Sequence, residues 1–497
     1  MCVLALFALG ESAYAEDGES AHAADGQSAS SEPEEAFEDE ESDLRQRLTE
    51  REDKRRPLKP WSTEVAGHPL MISGEYELEL AYFRRRILGE AVRQPHRFLL
   101  EQGLEVEAFY SFGRPLSLFA QFRVGMEEDL LSHTLDEVSG FYVERGELWL
   151  YSENIAGTHL NLDVGRLHFE DERRWWWDEE LDAVRTAYET ENVEISLALA
   201  RELAPSRSDL NHIDPEHDRV LRLIGEASWD FRPNHTLELF LLHQNDHSPA
   251  ERLGQVMSFE REDESDARLT WLGARLMGVF DLRAQGILGY WFDTALVRGE
   301  ERFVEFEDFS RRHSVAEAIL RRDVNGWAVD AGLSYILPLA WEPRFFAGYA
   351  IGSGDATPEA GDDRAFRQTG LHANEAGFGG VERFGHYGFL LDPELSNLRI
   401  LTLGVGISLL RSSSLDLVYH RYRMLEPSSF LRDSRLEIAL TGERRDLGCG
   451  VDLVLALEEW ERLEFTFIGS AFRAGHAFGT HAGTWSYGGF VAMRIAF

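Results

Sequence analysis

The sequence predicts an all-β fold, a transmembrane antiparallel β-barrel of about eighteen strands. From residue 68 onward, segments of about ten residues alternate apolar and polar side chains, as membrane-spanning strands do. Short and long connections alternate between these segments, which is typical of the short periplasmic turns and longer outer loops of a barrel. The chain ends on such a strand, with Tyr487, Val491 and Phe497 on one face and Ser486 and Arg494 on the other.

Composition agrees with a barrel and excludes a helical membrane protein. The chain has 497 residues and a formal net charge of -38, and its mean hydropathy is -0.31. Along each strand of a membrane barrel, apolar residues that face lipid alternate with polar residues that face the lumen. A low mean hydropathy is therefore compatible with membrane insertion. Of the two cysteines, Cys2 lies in a segment that we expect to be removed, which leaves Cys449 without a partner for an intrachain disulfide.

The start of the chain is predicted to direct export. Residues 1–15 read as a signal peptide, with an apolar run over 3–8 and Ala13-Tyr14-Ala15 as the cleavage triplet. The basic region that normally precedes such a run is missing, so we expect the natural start to lie upstream. Residues 16–67 are acidic and polar, which predicts a disordered periplasmic leader or, alternatively, a docking segment for a periplasmic partner. Residues 68–497 form the predicted barrel.

The predicted strands follow one another with regular spacing. They cover residues 70–84, 96–112, 116–128, 140–154, 158–169, 180–190, 192–203, 218–231, 235–247, 267–279, 282–298, 323–338, 343–354, 396–411, 413–425, 445–458, 461–475 and 484–497. Tight breaks follow every second strand, for example Gly113-Arg114-Pro115 and Glu459-Trp460. The even strand number is what bacterial barrels require, and short turns that alternate with long loops favour a barrel over a soluble sandwich.

Three strands allow a prediction of which side chains face lipid. In Leu447–Leu457 the odd-numbered residues are apolar and should face lipid. In Leu116–Met126 the residues that should face lipid are the even-numbered Ala120, Phe122, Val124 and Met126. The intervening residues of both strands should therefore face the lumen. Arg166 breaks the alternation of residues 160–164. A charge facing lipid at mid-membrane costs about 2–4 kcal/mol, so we expect a β-bulge at Gly165 that turns Arg166, His168 and Glu170 inward.

Several motifs, taken together, resemble a known family. They are Gly165-Arg166, Glu170-Asp171-Glu172, Trp176, Asp178, Ser206-Arg207-Ser208-Asp209-Leu210, Gly348–Gly354, Phe366–Leu371 and Arg383-Phe384-Gly385. This series resembles the alginate export porin family of proteobacterial outer membranes. The resemblance implies an eighteen-stranded barrel whose electropositive lumen passes a linear polyuronate to the cell exterior. It also implies that Asp178, Arg207 and Asp209 match pore-lining positions, and that Arg166 matches the first arginine of the Gly-Arg motif.

The chain departs from the family pattern at five places, one of which is the short outer loop from Glu127 to Ser139. The second arginine of the Gly-Arg motif is His168 here, and acids, Glu107 and Glu375, stand where arginines are expected. The turn at Glu459-Trp460 is tight, whereas the best-known type of member carries a long periplasmic loop there.

A set of charged residues is predicted to line the path of the solute. A polyuronate that moves through a pore needs weak, repeated contacts with cations. The predicted lumen residues are Arg123, Arg145, Arg166, Asp178, Arg185, Arg207, Asp209, Arg222 and Arg494. The alternative is that these arginines pair with acids such as Asp163, Asp178, Asp209, Glu226 and Asp452 and hold the barrel open, a role compatible with the first.

Two outer loops carry further predictions. We expect Trp175-Trp176-Trp177 either to anchor at the membrane interface or to stack on sugar rings at the pore mouth. The loop over residues 355–395 is the best candidate to fold inward and narrow the pore.

Catalysis, cofactors and metals are not predicted. His243, His247 and Asp246 lack the spacing of a metal site, and we find neither a nucleophile motif nor a phosphate-binding motif.

The sequence therefore predicts a monomeric outer-membrane channel for the passive export of an anionic polysaccharide such as alginate or a related polyuronate. Its predicted partners are outer-membrane lipid, lipopolysaccharide, the polysaccharide and periplasmic export proteins, with no role for nucleic acid. The alternatives are a general diffusion porin for small hydrophilic solutes and a structural barrel with a plugged lumen.

Overall fold

The computed structural model describes most of the chain after residue 60. The described residues are 61–84, 87–88, 96–113, 115–131, 139–248, 251–310, 312–357, 361–378, 380–460 and 462–497. The predicted signal peptide and nearly all of the predicted leader lie outside them. No helix among the described residues is long and apolar enough to cross a membrane. Those helices are single 3₁₀ turns at Ile155–Gly157, Phe259–Arg261 and Arg283–Gln285 and a longer one at His476–His481.

Eighteen antiparallel strands form a closed barrel, which confirms the predicted fold class. The strands are β1 His68–Arg84, β2 Arg97–Ser111, β3 Leu116–Asp129, β4 Ser139–Ser152, β5 Leu160–Glu170, β6 Asp178–Glu189, β7 Val193–Arg201, β8 Val220–Arg232, β9 His235–Asp246, β10 Ser265–Asp281, β11 Ile287–Ser310, β12 His313–Ile336, β13 Arg344–Gly352, β14 Leu398–Leu409, β15 Ser413–Met424, β16 Asp446–Trp460, β17 Leu463–Ala474 and β18 Trp485–Ala496. Each strand pairs with the next, and β18 pairs with β1.

The barrel closes at its last residue. Gly74 and Phe497 exchange two backbone hydrogen bonds, of 3.1 and 2.9 Å. A side chain at position 74 would lie 2.4 Å from the ring of Phe497, so the closing contact requires glycine.

Side chains alternate between an exposed apolar outer face and a buried inner face. In β7, Ile195, Leu197 and Leu199 are each about half exposed, whereas Ala198 and Ala200 are buried. Trp229, Trp341, Trp460 and Phe497 are also about half exposed and lie at or near the tight turns and the chain end. An apolar band bordered by aromatic side chains is the outer surface of a membrane barrel.

Strands β11 and β12 are longer than predicted. They pair from Ile287↔Ile336 to Ser310↔His313, with two register shifts near the tip, so the described residues of 299–322 belong to paired strands and not to the loop implied by the predicted strand ends. This segment is rich in acids, for example Glu305 and Glu307. Beyond the lipid a strand needs no apolar face, and the alternation that predicts strands inside the membrane is lost there.

One face prediction needs a local correction. In β16, Val451 and Leu453 face outward as predicted, but Leu447 is fully buried. A bulge at Leu447 reverses its direction, because Tyr422 pairs with Gly448 whereas Arg423 pairs with Asp446.

Short strands lie beside the barrel strands. Trp61–Val65, which the sequence analysis places in the leader, pairs with the start of β1. Ala66 and Gly67 both have positive φ, as the two-residue turn of such a hairpin requires. Val256–Ser258 pairs with β12, Ile87–Leu88 with Glu437–Ile438, and Glu375–Ala376 with Phe384–Gly385.

Candidate functional site: the barrel lumen

The long loop between β13 and β14 folds into the barrel over its described residues, 353–357, 361–378 and 380–397; we call these residues the inner loop. Phe378 stacks on Phe346 of β13 with ring centroids 4.3 Å apart. Tyr387 donates a hydrogen bond of 2.9 Å to Asp330 of β12. The ring of Phe389 stacks on Phe83 of β1 at 6.2 Å. Because β1 and β12 are far apart around the barrel, the inner loop crosses the lumen, as the sequence analysis expected.

The turn between β5 and β6, residues 171–177, also lies inside; we call it the tryptophan loop. Trp175, Trp176 and Trp177 are at most 2% exposed. Trp176 stacks on Phe240 of β9 at 4.8 Å, and the indole of Trp175 donates a hydrogen bond of 2.8 Å to Tyr387 of the inner loop. The prediction of an interfacial anchor or pore-mouth stacking site was therefore wrong. A run of three tryptophans suits a buried cluster equally well, and sequence alone does not separate the two.

A dry charge network fixes the tryptophan loop to the opposite wall. Arg275 of β10 is fully buried and pairs with Asp171 at 2.6 Å, Asp293 at 2.5 Å and Glu238 at 3.3 Å. Arg173 pairs with Asp330 at 3.1 Å and also contacts Asp293. Buried arginines in this geometry satisfy several carboxylates at once. We call these six residues the dry network.

A cavity of about 440 Å³ lies on the other side of the inner loop, between that loop and strands β1, β2, β17 and β18; we refer to it below as the passage. Its charged lining consists of Glu79, Glu375, Glu382, Arg97, Arg383, Arg435 and Arg494. Phe83, Phe384, Phe389 and Phe490 supply aromatic faces.

Paired charges run along the wall beside this passage. Glu77 accepts hydrogen bonds or ion pairs from Arg494 at 2.8 Å and Arg123 at 3.2 Å. Glu101 binds Arg123 at 3.0 Å and the hydroxyl of Tyr142 at 2.8 Å. The guanidinium of Arg207 lies 3.7 Å over the ring of Tyr142 and pairs with Asp209 at 2.9 Å. This charge ladder consists of Arg494, Glu77, Arg123, Glu101, Tyr142, Arg207 and Asp209, and so joins four of the predicted lumen residues.

An acidic strip on the same wall was not predicted from the sequence. Glu75, Glu77 and Glu79 alternate along β1, and Glu101, Glu105 and Glu107 lie on β2. The strands pair so that Glu75 lies opposite Glu105 and Glu79 opposite Glu101. Like charges directly opposed destabilise a sheet, and Arg123 and Arg494 offset part of that cost. The period-two glutamates in residues 75–79 were the signal that could have revealed this glutamate wall.

The remaining predicted residues lie apart from the ladder, and most are paired. Arg145 forms two hydrogen bonds with Asp182, and Arg185 pairs with Asp163 at 3.0 Å. Asp178 contacts His168 at 2.8 Å and Arg174 at 3.3 Å. These are the pairs that the barrel-holding alternative anticipates, and no contact here tests a role in transport.

Arg166 pairs with Glu180 at 3.1 Å and with Glu202 at 4.0 Å. Arg222 forms no ion pair among the described residues; it contacts the ring of His217 at 3.2 Å, and nearby acids that include Glu202 act on its charge from farther away.

The bulge predicted at Gly165 is wrong. Strands β5 and β6 pair from Leu160↔Tyr188 to Glu170↔Asp178 without a change in register. The bulge lies in β4, between Arg145 and Leu148. Gly165 has a φ of +143° and passes so close to β4 that a Cβ atom would lie 2.1 Å from the carbonyl oxygen of Leu148. Close approach of backbone, and not an extra residue, is why glycine stands at this position.

Burial shifts the titration of groups in the inner loop. Desolvation raises the pKa of Glu394 to about 7 and that of Asp392 to about 6. It lowers the pKa of His372 to about 4. The carboxyl of Glu394 accepts a hydrogen bond of 2.5 Å from the backbone of Gln368 and helps to hold the inner loop in its folded form.

Possible ligand atoms for a metal come together at one place among the described residues. Carboxylate oxygens of Asp246, Asp263 and Asp266 lie within 4.8 Å of one another. Asp266 is already bound by Ser248 and Arg302. His243 instead contacts Thr270, so the histidine does not take part.

Comparisons with known proteins agree with this architecture. The profile of a family described as "Alginate export" matches residues 71–490. A protein named alginate production protein AlgE from Pseudomonas aeruginosa is 27% identical over 317 residues, which are 63% of this chain and 63% of that protein. The protein of the same name from Pseudomonas syringae pv. tomato is 24% identical over 64% of this chain and 65% of its own length. The match thus spans less than two thirds of these relatives.

Solved structures show the same fold. Pseudomonas aeruginosa OccK8 (OprE) superposes with a TM-score of 0.54 at 9% identity, over 86% of this chain and 98% of that one. OccK5 (OpdH) from the same organism gives a TM-score of 0.52 at 9% identity, with the same coverage.

Proposed function

Because the chain belongs to the alginate export family, we propose that it is an outer-membrane channel for an anionic polysaccharide, alginate or a related polyuronate. The relatives named for alginate production support the substrate class. The single observation that carries the proposal is the passage of about 440 Å³, bordered by four arginines and by aromatic rings. Sugars stack on aromatic faces, and sugar carboxylates pair with guanidinium groups.

Transport in this proposal is passive and involves no chemistry on the solute. Each arginine near the passage already has an acidic partner, as Arg97 has in Asp129 and Arg494 in Glu77. A passing carboxylate must compete with that partner, so its contacts stay weak and it can leave again. Synthesis upstream, or concentration, drives the solute outward. We propose that the channel works as a monomer and that periplasmic export proteins deliver the polysaccharide.

A general porin is the second candidate, and the glutamate wall favours it. Six glutamates on β1 and β2 face two arginines, Arg123 and Arg494, so the local field on this wall attracts cations. A channel dominated by that field would pass small cations and would not be blocked by an acidic sugar chain.

Reversal potential and block in a planar bilayer separate the two candidates. The purified full-length chain is placed under a salt gradient and then titrated with an oligomannuronate, with a maltooligosaccharide of equal length as the neutral control. We expect the oligomannuronate to reduce the current at least tenfold more effectively than the neutral sugar. Cation preference without selective block would overturn the polyuronate proposal and leave the general porin.

A further inference from the structure

Four exposed arginines lie on the lipid-facing side of the barrel at its outer end. They are Arg399 at the start of β14, Arg421 and Arg423 at the end of β15, and Arg473 at the end of β17. Residues two positions along the strands from them face lipid, as Leu401 does after Arg399 and Tyr419 does before Arg421. The longer connections join the strands at this end, which is the outer end of a bacterial barrel.

The four side chains form one patch, which we call the arginine rim. Arg423 lies directly opposite Arg399 in the sheet. Arg421 and Arg473 lie on either side of Cys449 of β16, and each pairs with it. Neighbouring strands are about 4.8 Å apart, so the backbones of these two arginines are about 10 Å apart, with the small cysteine side chain between them. The long guanidinium side chains can therefore reach one multiply charged anion.

The arginine rim is only partly neutralised by the protein. Within the described part of the chain, Arg421 pairs with Asp446 at 2.7 Å, whereas the other three arginines form no ion pair. Like charges directly opposite one another destabilise a sheet, and Arg399 and Arg423 are so placed. An anion bound from outside the protein would offset this repulsion.

Exposed arginines of two other strands have acids beside them. Arg298 of β11 and Arg321 of β12 each lie two residues before an exposed acid, Glu300 and Asp323 respectively. These two acids also lie opposite each other in the sheet. The arginine rim is thus a local concentration of positive charge on a chain whose formal net charge is -38.

The arginine rim lies at the level where lipid headgroups meet the protein. The guanidinium group of Arg473 lies 6.0 Å over the ring of Trp485, and Tyr419 is exposed on β15 beside the rim. Lipid-facing tryptophan and tyrosine mark the interface between membrane and water. Nearer the middle of the membrane, Leu403 and Leu417 are almost half exposed and provide an apolar surface for acyl chains.

We propose that the arginine rim binds phosphate groups of lipopolysaccharide, the phosphorylated glycolipid of the outer leaflet, whose acyl chains then cover the apolar surface below. A guanidinium group pairs with two phosphate oxygens at once, and clusters of arginine attract anionic lipid headgroups. A zwitterionic phospholipid carries its own cation and offers no net charge to the rim. The inference goes beyond the transport proposal, because it concerns side chains that face lipid and does not depend on the solute.

Thermal unfolding of the delipidated full-length protein, in a zwitterionic detergent with EDTA, tests the rim against lipids that differ in phosphate number. We expect lipid A with two phosphates to raise the melting temperature by several degrees, lipid A with one phosphate to raise it less, and phosphatidylethanolamine to leave it unchanged. Arg423→Gln/Arg473→Gln should weaken the binding of bisphosphorylated lipid A at least tenfold. Arg298→Gln/Arg321→Gln loses the same charge at exposed positions and, as the matched control, should bind this lipid like the natural sequence.

Three outcomes would overturn the inference. Equal weakening in the two double variants would mean that overall charge attracts the lipid. Equal stabilisation by lipid A with and without its phosphates would mean that the acyl chains bind alone. Equal stabilisation by inorganic phosphate at the same concentration would mean that the rim takes a free anion and not a lipid.

The result is distinguishable from that of the transport proposal. The arginine rim lies outside the lumen, so block of the current by oligomannuronate should persist in Arg423→Gln/Arg473→Gln. Loss of block in this variant would make the arginines part of the polysaccharide path and would overturn their assignment to lipid. Binding of lipid A that depends on these arginines, in a channel that oligomannuronate does not block, would keep the rim and contradict the transport proposal.

Discussion

The dry network and the charge ladder consist of the same residue types, but the dry network is buried whereas the ladder is partly exposed to solvent. In the dry network, Arg275 and its acids are at most 5% exposed. In the ladder, the side chains of Arg494 and Arg123 are 36% and 24% exposed. A buried pair that loses one partner leaves an uncompensated charge, whereas a hydrated pair loses little.

The difference assigns distinct roles to the two sides of the lumen. The dry network holds the tryptophan loop against β10, β11 and β12 and so determines how much of the lumen is closed. The ladder reaches the cavity of about 440 Å³ at Arg494, whose side chain is 36% exposed. An ion pair alone therefore does not indicate the role of an arginine in the barrel. The exposure of its side chain to solvent indicates that role.

Breaking the dry network should have the largest effect. Arg275→Met removes the cation that three buried carboxylates share, of which Asp293 still contacts Arg173, and we expect a cost of about 3–5 kcal/mol. We expect the tryptophan loop to leave the lumen, single-channel conductance to rise several-fold, and tryptophan emission to shift to the red as Trp175 to Trp177 meet water.

Arg185→Met, which removes one partly hydrated pair, is the control for this variant. Unchanged emission and conductance in Arg275→Met would mean that the tryptophan loop is held by its apolar contacts and not by charge.

Breaking the ladder should change selectivity rather than structure. The double variant Arg123→Gln/Arg494→Gln removes the cations that face the glutamate wall, so the reversal potential should move toward cation preference by about 10 mV or more. The stability change should stay near 1 kcal/mol, because the pairs are hydrated.

Arg399→Gln, on the exposed face of β14, is the matched control and should leave the reversal potential unchanged. An equal shift in both variants would indicate that overall charge, and not the ladder, sets selectivity.

The third prediction concerns the pH dependence that Glu394 gives to the inner loop, and its expected effect on conductance is the smallest of the three. Its pKa is raised to about 7, so the folded inner loop binds the proton more tightly than an unfolded carboxyl with a pKa near 4.5 does. The stability that this protonation contributes is full below that lower value and is lost as the pH rises through about 7. We expect conductance to increase about twofold between pH 5 and pH 8.

Glu394→Gln mimics the protonated form and should at least halve that pH dependence; Asp392, whose pKa is raised to about 6, retains a part of it. The same pH response in the variant and in the natural sequence would exclude Glu394 as its source.

The sequence was sufficient for the membrane-spanning wall and insufficient for the lumen. Alternation at period two located all eighteen strands, because lipid on one side and water on the other impose it on every residue. Above the membrane that constraint ends, and the continuation of β11 and β12 past residue 298 was missed for this reason.

Residues inside the lumen follow a different rule. Asp171 and Arg275 pair across the barrel although they are distant in sequence, and no local pattern reports such a contact. Asp178, Arg207 and Asp209 were predicted from the family resemblance, and the other predicted lumen residues were selected mainly as charges expected to face inward, which is a local criterion. Whether one of them joins the ladder, as Arg123 does, or forms no ion pair within the described part of the chain, as Arg222 does, depends on long-range packing.

The hydrogen bonds between Gly74 and Phe497 bear on how the molecule is made. Strand β1 can pair with β18 only after β18 has been translated. Closure of the barrel therefore brings together segments that are separated by nearly all the other strands. Contacts of such long range are slow to form, and until they do, the two end strands expose unpaired backbone edges. The rate-limiting step of assembly should accordingly be closure, and Gly74→Ala should slow it and prolong the time that the open form is exposed to proteolysis.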